Sequence, residues 1–360
     1  MADQERLVKT LINLIKIDSP SDEEDAMDRE VSSRLEALGL KVYHDSYNNV
    51  IAKLAGHGEP VILSAHLDTV EPGRGIKPVI DAGVLRSDGS TILGGDCKAG
   101  VAIVLEALTE AVASGGGNRA IEVVFTRHEE GGLVGAHNLD FSMVSAKEGI
   151  VFDAEGPPNR VTVSAPSQNV VTAQITGRAA HAGVEPERGI SALLIAAEIL
   201  GRLPLGRIDE ETTANIGRME GGLKRNIIPE QAFLDGEFRS RSNDKLADME
   251  RKFRGVFDEV ASRYPEARIE LDIVNTYQAY QVDAGSPTVA MIGRALAGMG
   301  LEPVLESTGG GSDANVFIEK GITAIPVGIG VRDFHTTWET VVISEILLGA
   351  QMCEGVIRGT

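Results

Sequence analysis

The sequence predicts an α/β fold that is interrupted by a separate α+β segment. Up to Asp153, helical periodicity alternates with short apolar or β-branched runs, and the same character returns after Gln281. From Ala165 onward the strands alternate in polarity and follow the order β-α-β-β-α-β, which is typical of an antiparallel sheet covered by helices. We therefore predict a discontinuous domain formed by 1–164 and 276–360, and an inserted domain formed by 165–275.

In the first segment, apolar residues at helical spacing predict a helix over 3–17. Residues 18–21 should end it and cap a second helix that runs through Leu38. Turn residues bound predicted strands at 41–45, 50–54, 61–65, 121–126 and 149–152. A helix that is apolar almost all round is predicted over 101–114, and such a helix should be buried.

The remaining elements follow from the same periodicities. The insert should contain strands at 170–176, 233–238 and 267–274 and helices at 190–202 and 244–264. The last segment should contain a helix at 287–299, strands at 301–305 and 322–327, and a final helix from Ser344.

Composition restricts the possible partners and the compartment. The net charge of −19 argues against a nucleic acid or an anionic membrane as a partner, since both would repel the protein. The two cysteines, Cys97 and Cys353, exclude a disulfide framework and favour a reducing compartment. The amino-terminal residues do not resemble a secretory signal, and no long apolar run is present, so we expect a cytoplasmic protein.

Polar residues follow several predicted strands where a metal site would be built. His66 comes after an apolar run, and Asp68 could accept its second ring N–H, although a surface histidine before a turn is the alternative. Asp96 lies in a glycine-flanked loop before the buried helix; a helix N-cap is the alternative, but it would not explain the adjacent Lys98 and glycines. Asp153 ends another buried strand, and His335 lies near the end of the last segment.

The adjacent carboxylates Glu129 and Glu130 are the most informative pair. Two such groups repel each other unless a cation or a proton lies between them. Gly131 and Gly132 could supply the bend that aims both side chains inward, so that one binds metal and the other takes a proton from water. A solvated pair is the alternative.

At this point the chain resembles the peptidase T branch of the co-catalytic two-zinc peptidases, a family that includes aminoacylases, carboxypeptidases and dipeptidases. The resemblance runs essentially end to end through an ordered set of motifs: His66-Leu67-Asp68-Thr69, Gly95-Asp96-Cys97-Lys98-Ala99-Gly100, Glu129-Glu130, Phe152-Asp153, His181-Ala182-Gly183, Gly310-Gly311-Ser312-Asp313-Ala314 and His335-Thr336-Thr337.

The resemblance implies roles for these residues. His66 and Asp153 would hold one divalent ion, Glu130 and His335 a second, and Asp96 would bridge the two. Asp68 would orient a ligand, and Glu129 would be the general base. The ions implied are two Zn²⁺, with Co²⁺ or Mn²⁺ as alternatives. Cys97 departs from the family pattern, in which a second aspartate commonly follows the bridging one.

The resemblance also implies a catalytic domain with a mixed sheet and helices on both faces, and an insert that serves as lid and dimerisation domain. In that insert, His181 would stabilise the oxyanion, in cis or from a partner subunit, and Asn226 and Arg239 would grip a substrate carboxylate. For Arg239, a salt bridge to Glu237 or Asp235 is the alternative. Backbone groups around Gly310 could approach the substrate, or form only a flexible turn.

We therefore expect a metal-dependent exopeptidase that hydrolyses di- or tripeptides, an aminopeptidase of the peptidase T type that forms a homodimer through the lid domain. An N-acyl-amino-acid amidohydrolase or a carboxypeptidase or dipeptidase is the alternative, because each reaction is attack of water on an amide carbonyl. A non-catalytic binding homologue would have lost a ligand or Glu129, and neither is missing. A serine hydrolase is disfavoured because no Gly-x-Ser-x-Gly motif precedes a helix.

Overall fold

A computed structural model describes residues 2–360. The chain forms two compact units. The first runs to Val163 and also contains Gln281–Ser307 and Ser312–Thr360; the second contains Ser164–Tyr280 and Thr308–Gly311. No helix within residues 2–360 has the length and apolar content needed to cross a membrane.

The helices of the described chain are α1 (Gln4–Ile15), α2 (Asp25–Ala37), α3 (Gly95–Ala113), α4 (Val134–His137), α5 (Ala192–Leu200), α6 (Asn243–Arg263), α7 (Pro287–Ala297), α8 (Asp313–Glu319) and α9 (Ile343–Arg358). The strands are β1 (Lys41–His44), β2 (Val50–Leu54), β3 (His57–His66), β4 (Val79–Asp81), β5 (Val84–Arg86), β6 (Arg119–Thr126), β7 (Glu148–Ala154), β8 (Arg160–Ala165), β9 (Ser167–Thr176), β10 (Gly206–Arg207), β11 (Thr212–Gly221), β12 (Gln231–Ser240), β13 (Arg268–Tyr277), β14 (Tyr280–Gln281), β15 (Val304–Ser307), β16 (Thr323–Gly328), β17 (Val331–Arg332) and β18 (Thr340–Val342).

The first unit is built on a mixed sheet with the order β1-β2-β6-β3-β7-β16-β8-β14, and β15 pairs with β8. Strands β6, β3, β7 and β16 run parallel, whereas β2 pairs antiparallel with β6 and β8 antiparallel with β16. Every residue from Val61 to His66 is buried, as expected for a strand covered on both faces. The predicted α/β fold with a mixed sheet is confirmed.

The parallel strands bring their carboxyl ends to one edge of the sheet. His66 is the last residue of β3, and His66 and Thr126 are register partners at the ends of β3 and β6. Asp153 is the penultimate residue of β7. Ligands at the ends of neighbouring parallel strands necessarily lie close together.

The second unit contains an antiparallel sheet with the order β10-β11-β12-β9-β13. Helices α5 and α6 pack on it through an apolar core in which the rings of Phe238 and Phe253 lie 4.9 Å apart. Along β13 the residues alternate between exposed and half-buried, as on a sheet with one covered face. The predicted α+β character of this segment is confirmed.

Several element predictions were wrong in detail. The second helix begins at Asp25 without a side-chain cap, because the residues expected to cap it are used elsewhere: Pro20 forms a β-bridge with Thr69, and the Ser21 hydroxyl donates to Asp68. The strand predicted at 301–305 lies at Val304–Ser307. The short strands β4, β5, β17 and β18 pair with one another in a small separate sheet that the sequence did not reveal.

The buried helix also begins earlier than predicted, at Gly95 rather than Val101. Its first turn is interrupted because Asp96 (φ −78°, ψ 108°) and Cys97 (φ −110°, ψ 23°) are not helical. Asp96 therefore lies at a kink, where its side chain is not constrained to follow the helix surface.

Candidate metal centre

Asp96 lies between the two histidines predicted as ligands. Its Oδ1 is 3.2 Å from Nε2 of His66, and its Oδ2 is 3.1 Å from Nε2 of His335. His66 and Asp96 are buried, whereas the His335 side chain is 50% exposed. One carboxylate thus presents one oxygen to each imidazole, which is the arrangement of a bridging ligand.

Two further carboxylates complete the cluster. Asp153 Oδ1 lies 3.7 Å from His66 Nε2, on one side of Asp96. Glu130 Oε1 lies 3.0 Å from His335 Nε2, on the other side, without the angle of a hydrogen bond. The candidate ligand atoms of His66, Asp96 and Asp153 lie within 4.8 Å of one another, and so do those of Asp96, Glu130 and His335.

This donor set fits two divalent ions. Imidazole nitrogens and carboxylate oxygens suit zinc, cobalt and manganese, and each half of the cluster offers one histidine, one carboxylate and a share of Asp96. The buried Oε1 of Glu130 has no hydrogen-bond donor, which is the environment expected of a ligand atom.

The electrostatics of the cluster support the same conclusion. Burial raises the pKa of Glu129 and Asp153 well above their ordinary values, and it raises the pKa of Glu130 as well. The hydrogen bond to Asp96 and the adjacent carboxylate of Glu130 raise the pKa of His335 to about 10. Burial also acts to raise the pKa of Asp96, but hydrogen bonds from His335 and His66 outweigh it and lower that pKa. Such a group of buried acids keeps protons unless cations replace them.

Asp68 connects His66 with the two adjacent glutamates. Nδ1 of His66 is 3.0 Å from the backbone oxygen of Asp68 and 3.3 Å from its Oδ1. The carboxylate of Asp68 accepts the backbone N–H of Glu129 at 2.9 Å, that of Glu130 at 3.2 Å, and the hydroxyl of Ser21 at 2.7 Å. One buried carboxylate thus contacts His66 and fixes the backbone of the Glu129–Glu130 pair.

The bend after this pair is a tight turn. The backbone N–H groups of Gly132 and Leu133 donate to the carbonyl of Glu129 at 3.0 and 2.7 Å. Gly132 has φ 106°, which residues with a side chain rarely adopt. Behind the turn, Glu24 accepts the backbone N–H of His128 at 2.9 Å and pairs with Arg127.

Cys97 also lies in the cluster, and its Sγ donates to the carbonyl oxygen of Phe152 at 2.6 Å. Burial raises the pKa of this thiol well above its ordinary value. Cys97 is therefore a neutral donor to the backbone of β7, next to Asp153.

The four residues predicted to bind substrate lie in the second unit. His181 forms a β-bridge with Ile227, and the backbone N–H of Ala182 donates to Asn226 O at 3.1 Å, so the loops carrying His181 and Asn226 are paired. The guanidinium of Arg239 donates to Glu237 at 2.9 and 2.8 Å, which is the salt bridge considered as the alternative for this residue. Gly310 donates its N–H to the Thr308 hydroxyl at 3.1 Å.

Sequence reasoning assigned no role to two buried acids of the first unit. Asp313, at the start of α8, accepts a hydrogen bond from the Thr126 hydroxyl, and burial raises its pKa to about 6. Glu339 accepts backbone N–H groups of the loop that carries Asp96. Asp313 lies within a quoted motif, and Glu339 lies four residues after His335, but only long-range contacts reveal what either touches.

Two protein-family models match the chain: the peptidase dimerisation domain matches residues 169–265, and peptidase family M28 matches residues 49–198. The aminopeptidase PepT from Bacillus cereus is similar in structure, with 36% identity, 99% of both chains covered and a TM-score of 0.85. A tripeptidase from Staphylococcus aureus is 32% identical over 99% of this chain and 98% of its own, with a TM-score of 0.90. The YqjE protein of Bacillus subtilis is 37% identical over 99% of both chains.

The fold and the donor cluster, together with these relatives, define a peptidase of the metal-dependent class. The chain belongs to the M20 family of metallopeptidases, in its peptidase T-like branch. The M20 YxeP protein of Bacillus subtilis, described as a dinuclear metal-binding peptidase, shares the fold at 19% identity with a TM-score of 0.72.

Proposed function

We propose that this metallo-exopeptidase is an aminopeptidase that releases the amino-terminal residue of di- or tripeptides. The observation that carries the proposal is the placement of the two Asp96 oxygens, 3.2 Å from His66 and 3.1 Å from His335. The full-length similarity to an aminopeptidase and a tripeptidase supports this substrate class over other amides.

Two divalent ions, zinc first and cobalt or manganese as alternatives, would be held by five residues. His66 and Asp153 would bind one ion, Glu130 and His335 the other, and Asp96 both. Metal bound by these residues would supply Lewis-acid chemistry, which lowers the pKa of water and polarises an amide carbonyl. The two halves of the cluster, each with its own imidazole and carboxylate, support this assignment.

Glu129 would act as the general base. One of its carboxylate oxygens lies within 4.8 Å of the ligand atoms of His66 and Glu130, and the side chain is buried. Its raised pKa suits a group that takes a proton from water and passes it to the leaving amine nitrogen. Asp68 would keep His66 in one tautomer and hold the Glu129 backbone while the proton moves.

The second unit would supply substrate contacts and the dimer. His181, Asn226, Arg239 and backbone groups around Gly310 are the proposed contacts, and the pairing of the His181 and Asn226 loops supports a joint role for those two. Arg239 would bind a substrate carboxylate through a fork that it shares with Glu237. The match of 169–265 to a peptidase dimerisation domain supports a homodimer, and sedimentation equilibrium tests it: a monomer would rule out a trans role for His181.

The compartment proposed for the reaction is the cytoplasm. Cys97 and Cys353 are both buried and free, which suits a reducing environment.

A peptide panel tests the proposed reaction. The protein is stripped with a chelator, reloaded with zinc, cobalt or manganese, and incubated with Leu-Gly, Leu-Gly-Ala, N-acetyl-Leu-Gly-Ala and N-acetyl-Leu. We expect release of leucine from the free peptides, no cleavage of the acetylated ones, and no activity in the stripped protein.

The products separate the alternatives. Release of alanine and Leu-Gly as the first products of Leu-Gly-Ala would identify a carboxypeptidase, and conversion of N-acetyl-Leu to acetate and leucine would identify an amidohydrolase. Either result without early release of leucine and Gly-Ala from Leu-Gly-Ala would overturn the proposal.

A further inference from the structure

The loop that carries Asp96 is bound by a carboxylate from a distant part of the chain. Oε2 of Glu339 accepts the backbone N–H groups of Leu93 at 2.8 Å and Gly94 at 2.7 Å, and Oε1 accepts that of Asp96 at 2.9 Å. The Glu339 residue is 1% exposed. Three converging N–H groups on one buried carboxylate form a complete anion-binding nest.

These N–H groups have no partner within the helix. The first backbone donors of a helix are not satisfied by its own carbonyls, and the backbone at Asp96 departs from helical angles. Glu339 supplies the missing acceptor at the amino-terminal end of α3. The loop also packs directly on this residue: a Cβ on Gly95 would lie 2.7 Å from Val341 Cγ2 and 3.2 Å from Glu339 Oε1.

Glu339 belongs to the same turn as His335. The N–H of Glu339 donates to Thr336 O at 3.1 Å, and the Thr336 hydroxyl donates to Asp333 O at 2.8 Å and accepts the N–H of Trp338 at 3.1 Å. His335 has φ 62°, so its backbone is held in a conformation that the turn must stabilise. Glu339 therefore connects the segment that presents Asp96 with the segment that presents His335.

We propose that Glu339 is a positioning residue that holds the shared carboxylate of Asp96 in register with His335. This inference rests on the proposed function, because it assumes that both residues bind metal. Glu339 itself is not a ligand, since both of its oxygens are occupied by backbone N–H groups. Its loss should weaken metal binding while every ligand remains in the sequence.

Glu339→Gln is the main test, because the amide keeps the size of the side chain but cannot accept N–H groups at both ends. Glu122→Gln is the matched control. Glu122 is 3% exposed and accepts the backbone N–H groups of Ser145 at 2.8 Å and Ala146 at 3.0 Å. The substitution Glu122→Gln therefore removes a buried carboxylate of the same kind away from the cluster.

Two quantities are measured. The first is zinc affinity, from competition with a chromophoric chelator, and the second is the fluorescence emission of Trp338. Trp338 is the single tryptophan of the chain, is 79% exposed and precedes Glu339 directly, so its emission reports on this turn. We expect Glu339→Gln to weaken zinc affinity by roughly 10- to 100-fold. The zinc-dependent change in Trp338 emission should move to the same higher concentrations, and turnover should recover when zinc is raised.

We expect Glu122→Gln to lower the thermal midpoint of the stripped protein while zinc affinity stays within about twofold of the unmodified protein. If Glu339→Gln also stays within about twofold, the inference is wrong. If it does not fold, Glu339→Asp carries the same test, because the shortened carboxylate cannot reach all three donors. Failure of the unmodified protein to bind two ions or to cleave peptides would instead overturn the proposed function.

Discussion

The donor cluster of the first unit and the helix surfaces of the second unit place their acidic residues in opposite environments. In the first unit, Asp96, Asp153 and Glu130 are largely buried, and their ion-pair partners are the imidazoles of His66 and His335. In the second unit, acids such as Glu198, Glu250 and Glu259 lie at the surface of α5 and α6 and pair with arginines at 2.7–2.8 Å.

The buried acids of the cluster lie where they could bind cations, whereas the exposed acids of α5 and α6 keep the surface solvated. Exposed pairs contribute little to stability and need little from their surroundings. Buried carboxylates are costly unless hydrogen-bond donors, as for Glu339, or a cation offset the burial. The net charge of −19 therefore carries little information by itself, whereas the location of a few acids carries most of it.

The largest effect is expected for Asp96→Ala. Because Asp96 faces both histidines, its loss should release metal from both halves of the cluster and abolish peptide hydrolysis. The loss of metal affinity should exceed the roughly 100-fold loss expected when a residue that only hydrogen-bonds to a ligand is removed. Metal content after gel filtration, measured by plasma mass spectrometry, checks this result, and retention of two ions would show that Asp96 is not shared.

The substitution Glu129→Gln should lower turnover without loss of metal, which would distinguish the proton acceptor from the metal ligands. The amide keeps the shape of the side chain but cannot take a proton from water, so turnover should fall by roughly 10²–10⁴-fold. Metal content should stay near that of the unmodified protein, because the ligand set is intact. Unchanged turnover in a steady-state peptide assay would remove Glu129 from the mechanism.

Metal binding should release protons. At pH 7 the imidazole of His335, whose pKa is raised to about 10 by Asp96 and Glu130, carries a proton that a metal ion must displace, and burial also raises the pKa of Asp153. Affinity should therefore rise with pH toward 10, by about tenfold per pH unit for each proton displaced.

Calorimetry in two buffers with different heats of ionisation counts the protons released. The second unit should contribute none, because no residue of the donor cluster belongs to it. Identical heats in the two buffers would contradict this prediction.

The smallest effect is expected for Glu259→Gln, which removes the surface pairs with Arg202 and Arg263. The free energy of unfolding in urea should change by no more than about 1 kcal/mol, and zinc affinity should not change. A larger loss would mean that the acids of the second unit are not simply solvated.

The sequence predicted the elements whose signals are local. The apolar runs around β2, β3 and β6 and the periodicity of α1 and α6 gave elements close to those observed, because burial on one or both faces imposes a period on the sequence itself. Short strands such as β4 and β18 were missed because they are stabilised by pairing with distant strands and not by a pattern of their own.

The same limit applies to the beginnings of α2 and α3. Residues 19–21 contain favourable capping types, but a bridge to Thr69 and a hydrogen bond to Asp68 engage them instead. At α3, the first turn extends to Gly95 because Glu339 satisfies its N–H groups, a partner more than 240 residues away in sequence.

By itself, the sequence determined which strands end in potential ligands, that two adjacent glutamates precede a glycine-containing bend, and which family the ordered motifs resemble. Each of these depends on neighbouring residues only. The tertiary structure alone decided that the oxygens of Asp96 face two histidines from opposite ends of the chain and that Glu339 anchors the loop between them. Such convergence depends on how the sheet brings distant strand ends to one edge, which no local pattern encodes.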